Sequence, residues 1–169
     1  MTAPDPLRAP GLPRRLASLF YEAFLAFAIS LATAFVFSVA TQMRNALQGR
    51  QALAVAVAIV LGAYFTWSWR KGRTLPMQTW RMRIVDARGR PLTNARAWLR
   101  YACCAVWVIP PLAYFAHQKV NDWKPVTAAL LGWVVFWALL SRLHPQRQFW
   151  HDHWAGTRLV DAAGVSSAS

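Results

Sequence analysis

The segment Arg70-Lys71-Gly72-Arg73-Thr74-Leu75-Pro76-Met77-Gln78-Thr79-Trp80-Arg81-Met82-Arg83-Ile84-Val85-Asp86-Ala87-Arg88-Gly89-Arg90-Pro91-Leu92-Thr93-Asn94-Ala95-Arg96-Ala97-Trp98-Leu99-Arg100 decides the fold. Nine of the 19 Lys and Arg residues lie in it, against one acid, Asp86. Apolar runs flank it on both sides. A basic island between apolar spans is the pattern of a cytoplasmic loop in a multi-spanning membrane protein.

Working outward, charge is absent from residues 23–43, 51–69, 101–118 and 125–141. Each run is near the ~20 residues a helix needs to cross about 30 Å of hydrocarbon. The reading is an all-α membrane protein with four transmembrane helices, at about 15–43, 51–70, 95–118 and 125–142. Pro110-Pro111 in the third run removes two backbone donors and predicts a kink there. Orientation follows from the cations. The N-terminus, the 70–100 loop and the C-terminus hold 3, 9 and 3 Lys plus Arg, while the other two connections hold only Arg44, Arg50, Lys119 and Lys124. That bias places both termini in the cytoplasm of a multi-pass protein of a bacterial inner membrane. Residues 1–13, with four prolines, read as a disordered leader rather than a secretory signal, and 162–169 as a tail.

The net charge of +13 invites a nucleic-acid reading, but the charge is confined to short stretches between apolar runs. The partner it fits is a bilayer with anionic headgroups, and no nucleic acid is expected. Cys103-Cys104 lie in an apolar run and read as packing residues. Trp67, Trp69, Trp98 and Trp123 fall where interfacial aromatic belts form, and Trp133 and Trp137 read as a packing or lipid-facing pair. No recognisable nucleophile arrangement occurs, and His144, His151 and His153 match no strong zinc spacing. The expectation is a protein that is not an enzyme and takes no cofactor or metal.

Small residues recur every fourth position at Ala26, Ser30, Ala34 and Ser38, and again at Ala54, Ala58, Gly62 and Thr66. Such stripes let helices approach closely in lipid, so the first two crossings are expected to share this seam. Carried inward, the stripes meet Glu22 and Arg70. In the basic loop, Arg81 to Asp86 alternates polar and apolar side chains as a half-buried strand does, 86–89 reads as a turn, and Thr93 or Asn94 as a helix N-cap. Residues 83–89 resemble 158–164, with five identities in seven. A small cytoplasmic two-stranded β element, about 81–86 with 157–161, is expected.

Arg15-Leu16-Ala17 followed by Glu22, then Gly72-Arg73-Thr74-Leu75-Pro76-Met77 with Trp80 to Val85, then His151-Asp152-His153-Trp154-Ala155-Gly156-Thr157-Arg158-Leu159-Val160, resemble in order three motifs of the RDD family of small integral membrane proteins. The likeness covers roughly residues 14–161. This chain departs from the family pattern with Glu22 for the usual Asp, Pro76 and Gln78 for Gly and Lys, and His153 for Arg or Lys. The resemblance implies a membrane domain of this architecture and leaves its activity open, transport including cation–proton exchange having been suggested for some members.

An ionisable residue inside a span is a functional candidate by default. Glu22 lies seven residues beyond Arg15, about two turns deeper on nearly the same face. Two readings stand. Glu22, with Arg15 and Asp152, forms a cation, proton or small-solute transport site; or Glu22 forms a structural ion pair with Arg70. Asp152 is expected to accept backbone amides or to pair with Arg81 or Arg83. The cytoplasmic basic loop, with Arg73, Arg81 and Arg83, supports an alternative role as a non-catalytic module for partner assembly or anionic-lipid binding. A transporter this small is expected to form a homodimer or join another membrane protein.

Overall fold

A computed structural model describes residues 9–42, 49–118, 122–140 and 149–162. Of the leader expected over 1–13, residues 1–8 lie outside the described residues, as do Arg44, Lys119, His144 and residues 163–169 of the tail expected over 162–169; α1 begins at Leu12, inside the expected leader. In chain order the elements are α1 (Leu12–Thr41), α2 (Arg50–Arg70), α3 (Leu75–Thr79), β1 (Met82–Asp86), α4 (Asn94–Cys104), a 3₁₀ turn (Ala105–Trp107), α5 (Ile109–His117), α6 (Trp123–Leu140), α7 (Trp150–Trp154) and β2 (Thr157–Asp161).

Helix α1 has Pro13 in its first turn, where a fixed φ and a missing N–H cost nothing. Its 30 residues span about 45 Å, more than the ~30 Å of hydrocarbon. Phe20, Phe24, Phe27, Leu31 and Phe35 form an exposed apolar stripe along it, whereas the residues it buries are Arg15 and Ser18. A helix that turns apolar groups outward and polar groups inward is stable only in an apolar solvent. Among the described residues, three stretches (α1, the one holding α2, and α6) are long and apolar enough to cross a membrane.

The third expected crossing is broken. Asn94–Trp107 and Ile109–Phe115 pass the same test together but are bent by 43°, so the chain has up to four spans if this pair counts as one. Pro110 has no N–H to give the carbonyl of Val106 one turn back. The indole Nε1–H of Trp133 on α6 donates to that carbonyl instead, at 2.8 Å. Trp133, expected only to pack or face lipid, therefore also satisfies the polar group the proline leaves bare.

Helices α1 and α2 pack on each other as expected, but α4 also enters the seam. At Gly62 a Cβ would come within 2.7 and 2.9 Å of the Trp98 ring on α4, and the Tyr101 hydroxyl donates to the Ala58 carbonyl at 2.9 Å. At these positions the small-residue stripe of α2 receives α4. Sequence spacing identifies a close-approach face but not which helix fills it.

The two related segments, one around residues 82–86 and the other around 157–161, pair with each other. Strands β1 and β2 run antiparallel with Ile84 opposite Leu159, and Met82, Ile84, Leu159 and Val160 are buried. The strand starts one residue later than expected because Arg81 adopts φ +51°. A core of Trp69, Met77, Met82, Ile84, Leu92, Ala97 and Leu159 joins this sheet to the ends of α2, α3 and α4. Asp86 closes the expected turn, its carboxylate accepting the Arg88 and Arg90 amides at 2.8 Å each, with Gly89 at φ +80°. The hydroxyl of Thr93 accepts the Arg96 amide, capping α4 as expected.

Candidate functional site

On α1, Arg15, Ser18 and Glu22 follow at helical spacing and line one cavity of about 230 Å³. Arg100 of α4 and His151 and Asp152 of α7 line the same cavity. Four charged side chains from three separate parts of the chain thus converge where α1, α4 and the β1–β2 sheet meet.

Each is positioned by local structure. Thr74 terminates the turn after α2 and caps α3; its hydroxyl accepts the Met77 amide and donates to Glu22 Oε1 at 2.5 Å. That bond ties the first span to the loop between α2 and β1. The Thr93 cap starts α4 in a register that turns Ala97 and Arg100 inward. There the Arg100 guanidinium pairs with the Asp152 carboxylate, donates to Thr157 Oγ1 at 3.0 Å and lies 4.7 Å from the centroid of the Trp69 ring. Thr157, at the start of β2, donates back to the Asp152 carbonyl at 3.2 Å. The Arg15 guanidinium stands 4.4 Å from the Phe149 ring centroid, a cation–π geometry.

Arg100 and Asp152 are 5% and 0% exposed, so this pair is desolvated. Burial alone raises the Asp152 pKa, but Arg100, then His151, outweigh it and hold the carboxyl down at about 2. Burial pulls the His151 pKa down, whereas the Asp152 carboxylate drives it up, to about 9. A second contact opposes that added proton. The Trp107 indole, a donor only, gives its N–H to His151 Nδ1 at 2.7 Å, which requires a lone pair there. That leaves Nε2 as the donor facing Asp152 Oδ1 at 3.2 Å. A proton on Nδ1 would break the Trp107 bond, beside the bend between α4 and α5. Asp152 Oδ2, Ser18 Oγ and Arg100 Nε are buried without a hydrogen-bond partner in this arrangement. Unmatched buried polar atoms are costly, and atoms of this kind lining a cavity mark a place where a ligand or proton carrier finds partners.

Of the residues singled out by sequence, the fold brings Arg15, Glu22 and Asp152 together. Arg70 it leaves apart: its side chain is exposed at the end of α2 and outside the cavity lining. Glu22 is held by Thr74 rather than by Arg70. Asp152 pairs with Arg100 rather than with Arg81 or Arg83. Arg81 is exposed, Arg83 is half-buried on β1, and Arg73 lines a second cavity beside α2. Sequence reasoning missed Arg100, Thr74, Thr157 and Trp107. For Arg100 a signal existed, since it borders the uncharged run 101–118 as Glu22 borders 23–43.

A family model described as the RDD family matches residues 9–156. The chain belongs to the RDD family. No curated protein and no solved structure matches it. In this RDD protein the matched segment contains Arg15, Glu22, Thr74, Arg100 and Asp152, while Thr157 and β2 fall just beyond it. Membership and the apolar helices together point to a multi-pass membrane protein.

Proposed function

We propose that this RDD protein moves a proton, a cation or a small charged solute across the bacterial inner membrane. The bent α4–α5 pair counts as one of four crossings, and both termini and the 70–100 segment face the cytoplasm. The observation that carries the reading is Glu22, inside the first span, opening onto a cavity it shares with Arg15, Arg100 and Asp152. A carboxylate at that depth is costly unless it is paired or hydrated, and among the described residues the hydrogen bond it accepts comes from a neutral hydroxyl. It is therefore free to exchange a proton or bind a cation. Four helices make a thin wall, which supports a homodimer as the working unit. No bond is made or broken in this account, and the protein acts without catalysis.

The direct test is flux. Vesicles reconstituted with the purified protein should dissipate an imposed proton or monovalent-cation gradient faster than empty vesicles. Rates no faster than those of empty vesicles for proton, sodium and potassium gradients alike would overturn the ionic reading.

A further inference from the structure

A second cavity, of about 390 Å³, lies at the end of α2, apart from the Glu22 site. Trp67 and Ser68 of α2, Lys71 and Arg73 of the following turn, and Leu75 and Gln78 of α3 line it. We infer that it holds the headgroup of one anionic phospholipid, with the phosphate between Lys71 and Arg73.

Three features favour this occupant. First, the lining carries two cations and no carboxylate, and among the described residues neither Lys71 nor Arg73 forms an ion pair with an acid. Two neighbouring unneutralised cations create a local positive potential that an anion relieves. Second, the walls are of two kinds. Trp67 and Leu75 are 56% and 58% exposed, the lipid-facing apolar border, whereas Lys71 and Arg73 stand at the polar end of the helix. A molecule with a phosphate at one end and acyl chains at the other matches both walls, while inorganic phosphate uses only one. Third, the Lys71 ammonium stands 3.6 Å from the Trp67 ring centroid, which fixes it at the level where interfacial tryptophans meet headgroups. Gly72 at φ +82° makes the reversal that sets Arg73 beside it. The Gln78 amide and the Ser68 hydroxyl add uncharged hydrogen-bonding groups to the same lining. The notion that the 70–100 segment meets anionic headgroups thereby becomes a defined site for one lipid. It rests on the membrane reading above and not on Glu22 as a transport site.

Native mass spectrometry of the intact protein in detergent tests it, with phosphatidylglycerol and phosphatidylcholine titrated separately. Such spectra report lipid binding without any gradient, so failure here is separable from failure of the transport reading. The wild type should bind its first phosphatidylglycerol more tightly than phosphatidylcholine. Lys71→Gln/Arg73→Gln should weaken phosphatidylglycerol about 25-fold, about fivefold per charge removed, and leave phosphatidylcholine unchanged. Both side chains are exposed, so the variant should melt as the wild type does. Arg50→Gln, at the other end of α2, should change nothing. The inference is overturned if the double variant keeps the preference, if Arg50→Gln costs as much, or if phosphatidylcholine binds equally well. Displacement by millimolar inorganic phosphate would also overturn it, by showing a phosphate site rather than a lipid site.

Discussion

Asp86 and Asp152 are the same kind of residue in two settings, and one helix serves both. Arg96 of α4 reaches Asp86 at 3.2 Å, and Arg100, one turn on, pairs with Asp152. Around Asp86 the arginines are largely in water, Arg90 being 63% and Arg96 43% exposed. Burial pushes the Asp86 pKa up, and the amides of Arg90 and Arg88 more than reverse it, so the carboxyl stays below the ordinary range. It is an organiser of a turn. Around Asp152 the partner is a buried guanidinium that also contacts one threonine and one tryptophan, and one carboxylate oxygen is left without a hydrogen bond. Both acids are buried, and the difference lies in their partners: Asp86, paired with solvated arginines, shapes a loop, whereas Asp152, paired with a buried one, locks elements distant in sequence and lines a site.

Breaking the buried side should cost most. Asp152→Asn leaves Arg100 buried without its carboxylate and should destabilise by about 3–5 kcal/mol, read as a lowered melting temperature in detergent. Arg100→Met/Asp152→Leu, which removes both charges, should recover much of that loss, since no unpaired ion remains. An Asp152→Asn variant that melts as the wild type does would erase the contrast with Asp86. Next in size is Gly62→Leu. Even its Cβ meets the far edge of the Trp98 ring at 2.7 Å, so that ring, or α4 with it, must shift. Overpacking of this kind costs about 1–3 kcal/mol, and unchanged melting would mean α4 is not seated on α2 there.

The smallest effect belongs to Asp86, the acid whose arginine partners are in water. Asp86→Asn should cost less than about 1 kcal/mol, because its arginine partners are solvated. Its pH dependence sharpens the comparison. A depressed carboxyl lends stability above its unfolded pKa and loses it as pH falls through the folded one. The melting difference between wild type and Asp86→Asn should therefore be constant above about pH 5 and shrink as acid is added below about pH 4. The corresponding difference for Asp152→Asn should begin to shrink at the same pH, because the unfolded value is shared, but should go on falling until the pH reaches the folded value of about 2. Parallel acid profiles would show the two sites to be alike.

Much of this organisation was legible in the chain. Uncharged runs marked the apolar helices, the likeness of residues 83–89 to 158–164 foretold the β1–β2 pair, and Thr93 announced the start of α4. These are local or periodic signals. What stayed hidden was pairing between distant elements. Nothing near Asp152 indicates that its partner lies 52 positions earlier in the chain, nor that Glu22 finds Thr74, also 52 positions away. Charge complementarity names the types that will meet, so Arg70, Arg81 and Arg83 were equally eligible until helix rotation was known. The Pro110-Pro111 bend was readable, but the side chain that satisfies Val106 was not, because it comes from α6.

The central claim is that Glu22 works rather than merely holds. Glu22→Gln keeps an acceptor for the Thr74 hydroxyl while removing the exchangeable charge, so flux and melting temperature measured on the same preparation separate the two roles. The account predicts that gradient-driven flux falls to the empty-vesicle rate while melting stays within a degree or two of the wild type, a shift of roughly half a kcal/mol or less. Flux that persists alongside a large drop in melting temperature would contradict it and leave Glu22 a strut between α1 and the loop at Thr74.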